Sequence, residues 1–139
     1  MSTRLAAFVS VTDALMVLYW IFTACVQFGV LHAPADWMYA HYDQAQVVAW
    51  NWSFMPLDIA FSVFGGAAIA ASRRGDLAWR PLALVSLVLT STSGLMAVSY
   101  WIIAREFDAT WFLTNLALMA WPLFFLPPLV KGLGQAARP

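Results

Sequence analysis

Only one cysteine, Cys25, occurs among the 139 residues. No disulfide can close within the chain, and neither a thiolate metal site nor a paired-cysteine redox centre can form from a single copy. Histidine is almost as scarce. His32 and His41 share one inter-helical segment with Asp36 and Asp43 but show no compact ligand spacing, so no metal site is expected. Neither histidine falls in a long apolar stretch, which argues against paired axial haem ligation, and no cofactor is expected. Charge is sparse as well: 10% of residues are Asp, Glu, Lys or Arg, against about 25% in soluble domains. Seven basic and seven acidic side chains cancel. No basic stretch is dense enough to serve nucleic acid, which is not expected as a partner. No Ser/His/Asp grouping, phosphate loop or nucleotide fingerprint is present, so the leaning is away from an enzyme.

What the chain has instead is apolar surface, 63% of its residues. A soluble fold of this length cannot hide that much, and large exposed apolar patches associate. The lipid bilayer is the solvent that fits. Residues 14–35, 81–104 and 109–130 contain no Asp, Glu, Lys or Arg, and 44–72 is interrupted only by Asp58. About 20 apolar residues, rising 1.5 Å each, cross a hydrocarbon core. The pattern predicts one all-α domain over 1–139, an integral membrane four-helix bundle with helices near 8–31, 46–71, 81–104 and 110–130. The first stretch is long enough to span and contains Asp13, which makes it a retained helix and not a cleaved signal.

Breakers separate these stretches. Residues 33–36, with Pro34, are expected to stop the first helix, and 73–76, with Gly75, the second. Pro81 suits the first turn of the third helix. Asp108 is placed to cap the fourth, and Pro127-Pro128 to end it, leaving a mobile tail after Lys131. Pro56 and Pro122 lie inside apolar stretches and predict kinks that free backbone carbonyls.

Arg4, Arg73, Arg74, Arg80, Lys131 and Arg138 fall on one side of this topology, and only Arg105 on the other. By the positive-inside rule both termini are cytoplasmic. The outer segments hold Asp36, Asp43, Glu106 and Asp108. Aromatic residues gather on that side too, among them Trp37, Tyr39, Tyr42, Trp50, Trp52, Tyr100, Trp101 and Trp111. They read either as an interfacial belt or as the rim of an outward-opening pocket.

Polar side chains inside the spans carry the functional signal. Asn51, Met55, Asp58, Ser62, Gly65 and Ile69 recur at helical spacing and share one face of the second helix. A carboxylate at the depth of Asp58 costs about 2.5–3.5 kcal/mol on insertion scales, so it must face the bundle interior. The first helix offers Asp13, Met16, Trp20, Thr23 and Gln27. The third offers Ala83, Ser86, Thr90, Ser93, Ala97 and Tyr100, and the fourth offers Asn115 beside Trp111. Asp13, Asn51, Asp58, Ser62, Thr90 and Asn115 are therefore the expected inward-facing cluster. Two readings compete: a protonated Asp58 that donates to a neighbouring helix and holds the bundle together, or a ligand or proton site. Cys25 falls on the face opposite Asp13 and reads as inert packing.

Residues 48–58, Val-Ala-Trp-Asn-Trp-Ser-Phe-Met-Pro-Leu-Asp, resemble the signature of the YvaD-like family of small bacterial membrane proteins. So do 80–90, Ser93-Gly94-Leu95, 106–111 and 122–127, which together take in most of the chain. The resemblance implies a four-span architecture in the bacterial inner (plasma) membrane and brings no catalytic residues with it. Function stays open among three classes. The first expectation is binding or transport of a small apolar or lipid-like ligand, or of protons, at the intramembrane cluster. The second is an accessory or assembly subunit of a membrane complex, or a homo-oligomer. The third is a membrane enzyme acting on an isoprenoid-like lipid, with Asp58 as general acid.

Overall fold

The computed structural model describes residues 1–34, 37–39 and 41–136, with side chains through 134. Asp36 and Arg138, named above among the acidic and basic residues, lie outside the described residues. The described chain is all helical and forms α1 (Thr3–Gln27), α2 (Ala45–Ser53), α3 (Met55–Arg73), α4 (Trp79–Ala104), α5 (Ala109–Ala120), a 3₁₀ turn (Trp121–Phe124) and α6 (Leu126–Ala136). Four helical segments are long and apolar enough to cross a membrane: Thr3–Gln27, Ala45–Arg73, Trp79–Ala104 and Ala109–Gly134. The second is α2 continued by α3, and the fourth is α5 continued through the 3₁₀ turn into α6.

The two kinks fall where proline removes a donor. Pro56 follows the break at Phe54, whose N–H turns to the Asn51 carbonyl at 3.1 Å before α3 resumes. Pro122 sits in the 3₁₀ turn that divides the fourth span.

Three helix ends differ from the sequence expectation. The first helix starts at Thr3, with the Ser2 hydroxyl accepting from Leu5 N at 3.2 Å. It ends at Gln27, ahead of Pro34, because Gly29 takes a left-handed conformation (φ 71) and Val30 N bonds back to Cys25 O at 2.8 Å. Such a glycine satisfies the last carbonyls and turns the chain away. At the other terminus, Pro127 and Pro128 open α6, and helix continues to Ala136. Proline is tolerated in a first turn because its missing N–H has no partner there in any case. Asp108 caps α5, accepting from Trp111 N at 3.1 Å.

α4 is the central helix and packs against α3, α5 and α6, while α1 packs against α3. Small residues permit a close crossing of α4 and α5. A Cβ built at Gly94 would run into the Met119 backbone nitrogen and the Asn115 carbonyl, so α4 and α5 touch backbone to backbone there. Ser91 Oγ fastens the same crossing by donating to Met119 O at 2.8 Å.

The bundle has two chemically different ends. At one, Leu5, Val9, Ala68, Ala83, Leu87 and Leu129 form an aliphatic core. There the Met1 ammonium donates to Ser72 Oγ at 3.0 Å, and Arg80 Nη1 donates to Gly132 O at 3.1 Å. Arg4, Arg73, Arg74 and Lys131 belong to this end by their place on the helices. The other end is aromatic, with Trp20, Phe54 and Ala97 buried among Tyr19, Trp50, Trp52 and Met55. There His41 meets Glu106 at 3.2 Å and ties the 28–44 segment to the α4–α5 turn.

Candidate functional site

Asp58 sits two residues past Pro56 and is only 2% exposed. Burial of a carboxyl group demands partners, and two neighbouring helices supply them. Trp20 of α1 donates its indole N–H to Asp58 Oδ2 at 3.0 Å. Ser93 of α4 donates its hydroxyl to Oδ1 at 2.7 Å. Asp58 thus acts as acceptor to both neighbours and joins α1, α3 and α4 at one point.

A second polar contact lies one kink away. Asn51 of α2, 8% exposed, accepts from the Tyr19 hydroxyl at 2.8 Å through Oδ1. Its Nδ2 is buried without a hydrogen-bond partner, as is the indole Nε1 of Trp101. Asn115 of α5 turns its amide back onto its own helix, donating to Trp111 O at 2.8 Å.

These groups border a cavity of about 250 Å³ in the aromatic half of the bundle. Asn51, Asp58, Ser93 and Asn115 provide its polar wall. Tyr19, Trp20, Tyr39, Trp50, Trp101 and Trp111 provide most of the rest. The aromatics brace one another: Trp50 meets Trp101 edge-on at 5.8 Å, and Trp111 meets Tyr19 at 5.7 Å and Tyr39 at 6.1 Å. Behind the wall, Trp50 stacks on Tyr100 at 3.8 Å. The cavity's edge is formed by Leu15 of α1, 60% exposed, with Thr114 and Leu118 of α5. Among the described residues α1 and α5 make no backbone-level packing contact. The space between these two helices is bridged by side chains alone.

Burial of the Tyr39 ring, in the segment between the first two spans, raises its hydroxyl pKa above the ordinary tyrosine value, with the nearby Asn51 side chain working against the shift.

Six residues were expected to cluster, and the fold divides them. Asn51, Asp58 and Asn115 share the cavity. Asp13 and Ser62 lie together toward the basic end, where Asp13 packs on Gly65. The Ser62 hydroxyl is buried beside Asp13, yet no hydrogen bond closes between them. Thr90 is buried on the expected face of α4 but spends its hydroxyl on the Ser86 carbonyl of its own helix, at 2.9 Å. The partners that sequence reasoning did not single out are Trp20, Ser93 and Tyr19. Each shares a helical stripe or neighbours one, but periodicity does not say which member of a stripe meets which member of the next. The outer aromatics also divide: Tyr39, Trp50, Trp101 and Trp111 line the cavity, whereas Trp37 is exposed.

The class of protein is therefore a kinked helical bundle with four segments able to cross a membrane and an aromatic-walled cavity beside a buried aspartate. Residues 5–136 match the model of a family of unknown function, DUF5360. The chain is 42% identical over 124 residues to the uncharacterized protein YvaD of Bacillus subtilis (strain 168), covering 89% of this chain and 90% of that one. It belongs to this YvaD-like family. No solved structure matches.

Proposed function

We propose that this chain is a multi-pass protein of the bacterial inner membrane, with both termini in the cytoplasm, that binds a small apolar or lipid-like molecule in the cavity beside Asp58. The observation that carries the reading is the cavity itself. Its edge lies between α1 and α5 at Leu15 and Leu118, residues in the middle of apolar spans, so it faces the bilayer and not the aqueous ends. A lipid-soluble ligand reaches it without crossing water. Apolar walls with a few placed polar groups are the ordinary make-up of a small-molecule site. At about 250 Å³ the space suits a compact molecule or the head of a larger lipid. The orientation rests on the basic end, which the positive-inside rule assigns to the cytoplasm.

Native mass spectrometry of protein released gently from membranes tests this reading, with Leu118→Trp beside it to close the edge. A discrete small-molecule adduct on the native chain, absent from the variant, is the expected result. A bare chain, or an adduct indifferent to Leu118→Trp, counts against a ligand in this cavity. A co-purifying protein on a bare chain favours the accessory-subunit reading.

A second reading has its own observation. Asp13, the buried Ser62 hydroxyl and Asp58 lie along the α1–α3 contact from the basic end toward the cavity. Such a file of polar groups is what proton movement requires. Proton flux in proteoliposomes that is abolished by Asp13→Asn supports it, and flux equal to that of empty vesicles removes it.

A further inference from the structure

A second opening lies at the basic end of the bundle. Among the described residues the backbones of α1 and α6 make no packing contact. Between them and the start of α4 lies a groove of about 220 Å³. Leu5, Phe125, Pro128 and Leu129 give it apolar walls, and Ser2 and Arg80 are its polar side chains. The groove is separate from the aromatic cavity. Leu5 borders one and Leu15 the other, about 15 Å apart along a helix that rises about 1.5 Å per residue. Phe8, between them on α1, stacks on Trp121 at 5.3 Å and bridges the seam. Arg80 is held from two sides. Its Nη1 donates to Gly132 O at 3.1 Å, and its Cζ lies 5.8 Å from the centre of the Trp79 ring. A guanidinium has five N–H donors, and one bond uses only one of them. Arg80 is half-buried. Among the described residues its Nε and Nη2 take no acceptor, and neither is sealed inside the protein.

We propose that this groove binds the headgroup phosphate of an anionic phospholipid, with Arg80 as the residue that grips it. The site stands apart from the cavity beside Asp58 and requires only that the chain span a bilayer. Charge favours an anion here. Arg4, Arg73, Arg74 and Lys131 share this end with Arg80, and among the described residues none of the five forms an ion pair. The one carboxylate of the adjoining turn, Asp76, is spent on capping, accepting from Ala78 N at 2.9 Å. Phosphate matches the planar fork of an arginine, which can give it two parallel N–H bonds. The apolar walls choose between a lipid and a phosphate ion from water. Phe8, itself exposed, packs on the Phe125 that lines the groove, at 5.6 Å, so hydrocarbon and not water suits its surroundings. Basic pockets between spans at the cytoplasmic face are a known setting for lipid headgroups. Size agrees. A cavity of about 150 Å³ holds a benzene ring, so about 220 Å³ holds a phosphate and part of the glycerol, with the acyl chains left in the bilayer.

The test titrates the delipidated chain in dodecyl maltoside with dioleoylphosphatidylglycerol or dioleoylphosphatidylcholine and counts bound lipids by native mass spectrometry. The first lipid to bind should be phosphatidylglycerol, at least about fivefold tighter than phosphatidylcholine, which corresponds to about 1 kcal/mol. Arg80→Gln should lose most of that preference, with circular dichroism showing that the helices persist. Arg74→Gln, which removes the same charge from the exposed end of α3, should keep it. Inorganic phosphate in large excess should displace no lipid, because it brings no acyl chain to the apolar walls. Equal affinity for the two lipids overturns the selection of an anionic headgroup. Equal losses in the two variants mean a diffuse attraction to the basic end and overturn the site. Displacement by inorganic phosphate overturns the lipid as occupant and leaves an anion site fed from water. The native-chain comparison and the phosphate arm stand even where Arg80→Gln fails to fold.

Discussion

Trp20 of α1 and Asp58 of α3, 38 positions apart in the chain, are joined by an indole N–H to carboxyl hydrogen bond of 3.0 Å in the buried centre of the bundle. Indole can only donate, so this bond fixes Asp58 as acceptor toward α1. Of the two readings the sequence left open, one has Asp58 donating to a neighbouring helix and the other makes it part of a ligand or proton site. In the structure two donors, Trp20 and Ser93, converge on it.

Stability should respond to Asp58 according to whether those donors keep an acceptor. Asp58→Asn retains one oxygen for Trp20 and can donate to a reoriented Ser93 hydroxyl, so a loss within about 1 kcal/mol is expected. Asp58→Leu strands both donors and should cost about 1–3 kcal/mol for each. Unfolding in mixed detergent micelles measures both, and equal losses would show that the two hydrogen bonds do not hold the helices together.

Two glycines separate close packing from helix propensity. Gly94→Ala puts a methyl group into the backbone of α5 at Met119 and Asn115, which cannot swing aside. Overpacking of that kind costs about 1–3 kcal/mol. Gly66 has open space around it, and Gly66→Ala should instead stabilise the helix by about 0.5–1 kcal/mol. The same unfolding assay distinguishes them by sign.

Topology can be read by accessibility. In a Cys25→Ser background, single cysteines at Gly75 and at Phe107 lie in the connections at opposite ends of the bundle. A membrane-impermeant maleimide added to whole cells should label the cysteine at 107 and spare that at 75. The reverse pattern would overturn the positive-inside assignment.

Tyr39 predicts an alkaline dependence. Burial raises its pKa above the ordinary value, which is about 10. The unfolded chain then releases this proton before the folded chain does, so the folded state loses ground as pH rises. The contribution is fully present below about pH 10 and fades as pH climbs through the raised value. Tyr39→Phe should match the native chain at pH 7–9 in relative unfolding behaviour and diverge from it only above about pH 10. Parallel curves across that range would mean that the hydroxyl is solvated in the folded protein.

Local chemistry alone determined a good deal of this molecule. Four long apolar stretches require helices, because a hydrocarbon solvent leaves backbone groups no other partner. Pro56 and Pro122 mark the two breaks, because a residue without an N–H interrupts the helical ladder wherever it stands. The side of the second span that carries Asn51, Asp58, Ser62 and Gly65 follows from helical period, and the buried Asp58 was legible as the costliest residue on it. Helix ends were less legible. Pro34 was the expected stop of the first helix, but the left-handed conformation that Gly29 takes in the folded chain ends it earlier.

Only the tertiary structure decided which polar residues meet. Period places a residue on a face but says nothing of how far a helix is rotated or shifted against its neighbour, since those follow from packing at contacts such as Gly94 on α5. That rotation brings Trp20 and Ser93 to Asp58 and sets Asn51 and Asn115 on one cavity. It leaves Asp13 with Ser62 toward the basic end and Thr90 bonded within its own helix. The cavity exists because the backbones of α1 and α5 stay apart, and no pattern within either helix records that separation.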